Sequence, residues 1–155
     1  MSDEQFTQEI LAAEKSMYHV AKGILKNDAD CADAMQNAIL SAYSNLSSLK
    51  NESFFKTWLI RILVNECYSI LRRNRQVYTA YEDYMEDPTD DLTGYSEVYM
   101  SIQALEEKYR VPFILHYVEG FTAKEIARML KRTEAGIKMR LLRARNILKK
   151  QLEIS

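Results

Sequence analysis

Between Gln76 and Tyr95 runs QVYTAYEDYMEDPTDDLTGY, with no apolar period, six carboxylates, no lysine or arginine, and both Pro88 and Gly94. A segment of that kind breaks regular structure and cannot bury a continuous face. It stands near the middle of 155 residues, so each flank must bury a core of its own. Flanks of roughly 50–80 residues are long enough to do so. The chain therefore reads as two bodies, residues 1–76 and 99–155, with residues 77–98 as an acidic linker.

Both flanks are helical in pattern. Only 4 Gly and 2 Pro occur in the whole chain, which disfavours a turn-rich β architecture. Ile10, Leu11, Met17, Val20, Ala21, Ile24 and Leu25 recur at helical spacing between about Phe6 and Leu25. KNDAD breaks that helix, and Asp28 or Asp30 can cap the next one. Its apolar stripe is Ala34, Met35, Ala38, Ile39, Ala42 and Tyr43, and it ends near Leu46. The turn formers SSLKNES lead into a long helix from about Phe54 to Arg75. Beyond the linker the pattern predicts helices over about Val98–Lys108 and Val111–Glu119, then a short pair, Ala123–Leu130 and Glu134–Leu152. The expected fold class is all-α: two small helical domains joined by an acidic linker, the second containing a helix-turn-helix.

Several classes of function are disfavoured. No run of about 18 apolar residues is present, as a membrane span needs, and MSDEQFTQEI is polar and acidic, unlike a signal peptide. Direct membrane insertion is not expected, and the cytoplasm is the expected location. Cys31 and Cys67 lie inside helical patterns, with neither a CxxC spacing nor a neighbouring His. They read as buried thiols in a reducing cytosol, and no metal or other cofactor is expected. His19 and His116 are far apart in sequence and lack motif neighbours for a triad, and no glycine-rich phosphate loop occurs. An enzyme is not expected; His116, in FILHYVEG, reads as a helix-face residue.

The formal charge of −1 conceals strong segregation. Residues 1–53 carry 4 Lys/Arg against 8 Asp/Glu, and residues 54–76 carry 5 against 1. Residues 77–100 carry none against 7, and residues 101–155 carry 12 against 6. Two basic blocks separated by acid suggest two surfaces for a polyanion.

The C-terminal block has the sharper local logic. Thr122 and Glu125 form a capping box, Phe121 and Ile126 a hydrophobic staple, and Thr133 is the expected N-cap of the last helix. Ala127, Leu130, Ile137 and Leu141 fall where a helix-turn-helix packs its two helices together. From Ile137 the inward seam continues through Leu141, Ala144, Leu148 and Leu152. At about 100° per residue the opposite face carries Met139, Arg143, Asn146 and Lys150, flanked by Lys138, Arg140, Arg145 and Lys149. A helix with an apolar seam and a basic outer face suits the major groove, where Arg pairs with guanine edges and flanking cations reach phosphates. An ordinary solvated face is the alternative. The coincidence of capping box, short turn and basic second helix favours DNA. Lys131 and Arg132 occupy turn positions that favour Gly and an apolar residue; a Lys at positive φ costs about 1 kcal/mol.

The first basic block, FFKTWLIRILVNECYSILRRNR, is apolar around most of its circumference. One polar stripe remains: Thr57, Arg61, Asn65, Ser69, Arg72 and Arg73. Phe54, Phe55 and Trp58 crowd its start, and cations beside exposed aromatics suit unstacked bases. Taken alone, this helix reads at least as well as an amphipathic element with a solvated edge and a core Trp.

Together the segments resemble a bacterial sigma factor of the extracytoplasmic-function type, over nearly the whole chain. DCADAMQNAILSAY is similar to that family's polymerase-binding helix, and FFKTWLIRILVNECYSILRR to its promoter-melting helix. LEEKYRVPFILHYVEGFTAKEIARMLKRTEAGIKMRLLRAR resembles its fourth conserved region. The phrases F-K-T-W-L-x-R-I, E-G-F-T-x-x-E-I-A and I-K-x-R-L-x-R-A-R occur in the family's order.

The resemblance implies a non-catalytic subunit that carries core RNA polymerase to promoters. It places Asp30, Asp33, Gln36 and Asn37 against the polymerase clamp helices; Asn37 stands where the family usually has Glu. It places Ser47, Ser48, Lys50 and Asn51, within the loop Ser47–Ser53, around a flipped minus-ten base. Lys56, Trp58, Arg61, Asn65, Arg72 and Arg73 would then lie along the melted strand. Thr122, Lys138, Met139, Arg140, Arg143 and Arg145 would hold the minus-thirty-five duplex. Core RNA polymerase (through its clamp helices and flap), promoter DNA and an anti-sigma factor are the implied partners. The acidic linker would repel DNA and keep the two modules apart. Two other readings remain: a helix-turn-helix regulator with an N-terminal sensor or dimerisation domain, and an all-helical adaptor for acidic proteins.

Overall fold

The computed structural model of the chain describes residues 1–78 and 97–154. Helices and short turns make up these residues, with no strand among them, and they divide into two compact units, Met1–Arg75 and Gln76–Ser155. Residues 79–96, which include most of the acidic stretch, lie outside the described residues.

In the first unit, α1 (Asp3–Leu25) opens on a capping box in which Ser2 Oγ accepts from the Gln5 amide and Gln5 Oε1 from the Ser2 amide. Two of the four orphan amides of the first turn are thus satisfied. The helix closes on Lys26, which is left-handed (φ 64°). That turn leaves Asn27 as the last extended residue before α2 (Asp28–Ser44), and Asn27, rather than Asp28 or Asp30, caps α2 by accepting from the Asp30 amide at 3.0 Å. Asp28 instead takes both Lys22 Nζ and the Tyr18 hydroxyl at 2.8 Å. This cluster ties the end of α1 to the start of α2, and the pairing offsets the cost of burying the Lys22 stem and charge.

The buried stripes are narrower than expected. On α2 they are Cys31, Ala34, Ala38 and Ala42, with Met35 and Ile39 only half-buried. Small side chains at a helix contact let the axes approach closely, and that leaves larger residues outside the seam. Leu11 on α1 is 64% exposed, and Tyr43 is exposed with its hydroxyl on Asp3. Phe6 and Ala13 take the inward positions instead.

Two 3₁₀ turns, Leu46–Ser48 and Glu52–Phe54, lead into α3 (Phe55–Tyr78). It continues three residues past Arg75. Phe55, Leu59, Ile60, Leu63, Val64, Cys67 and Ile70 are all buried, each of them but Cys67 contributing roughly 1.5–3 kcal/mol of transfer free energy. Cys31 and Cys67 are both fully buried.

The second unit begins with α4 (Glu97–Ala104) and α5 (Glu107–Phe113). The break falls at Leu105–Glu106, earlier than the expected gap between Lys108 and Val111. Buried Arg110 stabilises this corner by donating from Nη1 to the Leu105 carbonyl at 2.6 Å. A charged donor suits a buried carbonyl that helix geometry leaves unpaired. Leu105, Ala144 and Leu148 form a core cluster that Ile102, Tyr109, Phe113 and Ile147 pack against.

Past Pro112 the helix widens into a π turn, Ile114–Val118. The Glu119 amide reaches back to Ile114 and the Phe121 amide to Leu115, and Gly120 (φ 81°) turns the chain. His116 does more than occupy a helix face: its Nδ1 lies 2.7 Å from the Phe121 carbonyl. The carbonyl can only accept, so the Nδ1–H tautomer makes this bond.

The last two helices are α6 (Ala123–Leu130) and α7 (Glu134–Ile154). The Thr122–Glu125 capping box is complete in both directions. Lys131 adopts the left-handed conformation (φ 57°, ψ 47°) that its turn position demands. The Arg132 amide closes on the Ala127 carbonyl, and Thr133 Oγ1 accepts from the Gly136 amide to cap α7. Ile137, Leu141, Ala144 and Leu148 form the inward seam as expected. Leu152 does not join it, being 37% exposed; residues 149–153 are all exposed, past the reach of the core.

Candidate nucleic-acid interface

The outward half of α7 is built by the same periodicity that buries its seam. Lys138, Arg143, Arg145, Asn146, Lys149 and Lys150 are exposed, and Arg140 is half-buried at one edge. Met139 and Leu142 are 47% and 44% exposed, an apolar pair within a cationic surface. Leu142 was not among the expected contacts, although the helical wheel places it beside Met139 and Asn146.

The cations are not equivalent. Lys138 pairs with Glu134 at 3.4 Å, one turn back. Arg145 donates to the Tyr117 hydroxyl at 3.3 Å. Arg143 has neither ion pair nor hydrogen bond among the described residues, so its full fork of donors faces solvent. Thr122 is exposed at the start of α6, its Oγ1 already accepting from the Glu125 amide, which leaves its O–H to donate.

On α3 the polar stripe stands out of a mostly buried helix. Lys56, Arg61, Asn65, Arg72 and Arg73 are exposed, and Thr57 and Ser69 half-buried. The three aromatics at its foot separate. Phe55 is buried with its ring against Phe6 (5.8 Å) and Trp58 (5.9 Å), and Trp58 is half-buried. Phe54, unassigned from sequence, is 58% exposed. Sequence proximity could not rank the three; the step from the 3₁₀ turn into α3 does.

The loop before α3 bonds to itself. Ser48 Oγ donates to the Asn45 carbonyl at 2.7 Å, and Asn51 Oδ1 accepts from both the amide and the hydroxyl of Ser53. Ser47, Ser48, Lys50 and Asn51 are all exposed on it. Such internal bonds hold a loop in one shape before any ligand arrives.

On α2, Asp33, Gln36 and Asn37 share an exposed face with Leu40, which is 62% exposed and was not foreseen. Asp30 differs from the other three, being half-buried with Oδ2 accepting from Asn74 on α3 at 2.9 Å. It braces α2 against α3 more than it offers charge outward.

Burial pushes the Cys67 thiol well above its ordinary range, and Cys31 and Glu66 add to the effect. A thiol held protonated is a poor nucleophile. Among the described residues no cluster of three or more His, Cys, Asp or Glu could hold a metal ion, and no helix is long and apolar enough to cross a membrane.

Comparison with known proteins bears on both units. A model of sigma-70 region 2 matches residues 11–77, and a model of sigma-70 region 4 matches residues 95–148. The ECF RNA polymerase sigma factor SigM of Mycobacterium tuberculosis is 31% identical over 136 residues, covering 84% of this chain and 68% of that protein. The RNA polymerase sigma factor SigV of Bacillus subtilis is 24% identical over 160 residues, covering 98% of this chain and 96% of that one. Among solved structures, the sigma factor RpoE of Bartonella quintana, crystallised with the anti-sigma factor NepR, superposes with a TM-score of 0.83 at 26% identity. The match covers 98% of this chain and 99% of that one.

Proposed function

This chain belongs to the extracytoplasmic-function sigma factors of the sigma-70 family, and from that membership we propose how its surfaces divide the work of promoter recognition. As a sigma factor it directs RNA polymerase to promoters. Residues 1–76 are the module for core polymerase and the minus-ten element, residues 99–155 the module for the minus-thirty-five element, and residues 77–98 the acidic linker.

The observation that carries the reading is the outward face of α7. Arg143 is exposed beside Met139, without a partner among the described residues, and Lys138 and Arg140 stand on either side. Arg143 reads a base edge in the major groove, Met139 meets a thymine methyl or sugar, and Lys138, Arg140, Arg145 and Thr122 hold the backbone.

The α3 stripe takes the separated strand. Ser47, Ser48, Lys50 and Asn51 surround a flipped base. Arg61 and Asn65 line the strand, with Lys56, Trp58, Arg72 and Arg73 along its path. Asp33, Gln36 and Asn37 meet the polymerase clamp helices, Asp30 steadies that face, and the second unit meets the flap. The RpoE relative was solved with an anti-sigma factor, and we extend a partner of that kind to this chain. The protein acts in the cytoplasm, where polymerase is, and catalyses no reaction itself.

Transcription with core polymerase on a promoter library, with and without this chain, tests the assignment. A defined promoter subset should fire only when the chain is present. Folded Arg143→Ala and Arg61→Ala/Asn65→Ala variants should each lose that subset. Equal promoter use with and without the chain overturns the reading.

A further inference from the structure

Tyr117 is the aromatic of the π turn, and its place there is over-determined. Its ring centroid lies 4.7 Å from that of Phe113 and 4.7 Å from that of His116. His116 is itself held by the Phe121 carbonyl. Widening of the backbone at Ile114–Val118 sets the register of this side chain, and π turns inside helices are often found at functional sites. The ring is 45% exposed, and its hydroxyl accepts from Arg145 Nη1, 28 residues away on α7.

That bond has a direction. The phenol oxygen accepts, so the phenol O–H remains available as a donor, and the guanidinium keeps its other N–H groups. Two side chains from two elements thus present donors and one positive charge at a single place. Neither has a carboxylate partner among the described residues, in contrast to Lys138.

Position on α7 decides what those donors can reach. Arg145 stands about 160° around the helix axis from Arg143, but only about 100° from Asn146 and about 120° from Met139, the middle of the outward face. When Met139, Arg143 and Asn146 face the groove floor, Arg145 faces its wall. Lys138 and Lys149 lie on the same flank. The wall of the major groove is phosphate, and in helix-turn-helix docking the first helix, here α6, crosses that backbone; Tyr117 lies on the π turn that leads into α6.

We infer that Tyr117 and Arg145 form a clamp for one backbone phosphate of the duplex, with Tyr117 positioning the guanidinium and adding its own O–H. This rests on the assignment of α7 to duplex DNA. It adds Tyr117 to that surface and makes Arg145 a contact that anchors without reading sequence.

The test uses holoenzyme reconstituted with core polymerase, on a promoter fragment selected from the library. Arg145→Ala should weaken binding about tenfold, as for loss of a charge-assisted contact, and lower the salt slope by about one. Tyr117→Phe should weaken it about threefold, and the double variant should lose less than the product of the two. Methylphosphonate substitution along the duplex should find one position that weakens the unmodified protein and leaves the double variant unaffected.

Base preference and thermal midpoint should not move in Tyr117→Phe. Independent losses, absence of any such phosphate, or a fall in core-polymerase affinity would each overturn the clamp. So would a lower thermal midpoint that tracks the binding loss. Arg143→Ala separates the two levels. If it weakens duplex binding while Tyr117→Phe does nothing, only the clamp is wrong; if neither matters, the duplex assignment itself has failed.

Discussion

The helices α3 and α7 carry comparable positive charge, and they present it differently. α3 is buried along Phe55, Leu59, Ile60, Leu63, Val64, Cys67 and Ile70, which leaves a ribbon about one residue wide through Arg61 and Asn65. α7 is buried only along Ile137, Leu141, Ala144 and Leu148, and more than half of its cylinder is exposed. The proposed single-strand role fits a narrow ribbon with an exposed Phe54 ahead of it in sequence, since unpaired bases offer π faces in single file. A broad convex face matches a groove with a floor and two phosphate walls. Width of the exposed face, more than amount of charge, distinguishes the two surfaces.

The contrast in burial is the first thing to break. Leu63→Ala should destabilise the first unit by about 2–5 kcal/mol through the cavity it leaves, and a thiol reagent offers a direct readout. In the intact protein Cys31 and Cys67 should label roughly a hundredfold or more slower than a peptide thiol, because opening must come first. Leu63→Ala should speed that labelling sharply. Ile137→Ala, an equal insult to the second unit, should not.

The contrast in ligand can be sharpened by crossing variants with templates. Arg143→Ala should cost about 1–3 kcal/mol on fully paired minus-thirty-five duplex and little on a template already open at minus ten. Arg61→Ala/Asn65→Ala should do the reverse, with melting measured by permanganate reactivity of the opened region. Equal effects on both templates would mean that the two helices do not divide paired from unpaired DNA.

Two smaller effects concern how α6 and α7 are held. Thr122→Ala removes the capping box and should lower the stability of the second unit by about 1 kcal/mol in urea titration. Lys131→Gly relieves a left-handed lysine (φ 57°). It should raise stability by about 0.5 kcal/mol, the steric gain being partly offset by glycine's greater freedom in the unfolded chain.

How much was legible in advance follows the range of the interactions involved. The Thr122 and Thr133 caps, the strained Lys131 and the α7 seam as far as Leu148 were all readable, because each depends on residues within four positions of one another; Leu152 was not, since periodicity cannot tell where the core ends. The cap of α2 was misassigned because Asn27, Asp28 and Asp30 are all competent. Only the left-handed turn at Lys26, coupled to the bond from buried Lys22 to exposed Asp28, selects among them. Leu11 and Tyr43 were placed on inward stripes by periodicity, which cannot sense that the α2 seam is made of alanines. Arg110 and His116 were invisible as braces because each holds a main-chain carbonyl, and carbonyls leave no mark in a sequence.

By itself, the order of residues determined that the described residues are helical, that they divide into two units, and that two basic helices follow particular polar stripes. Apolar spacing and charge are properties of short windows, and a short window suffices to read them. Tertiary structure alone decided which of three adjacent aromatics faces solvent, which aspartate is pinned to a neighbouring helix, and that Tyr117 meets Arg145. Those outcomes depend on how helices distant in sequence share a finite surface, and no local pattern encodes that competition.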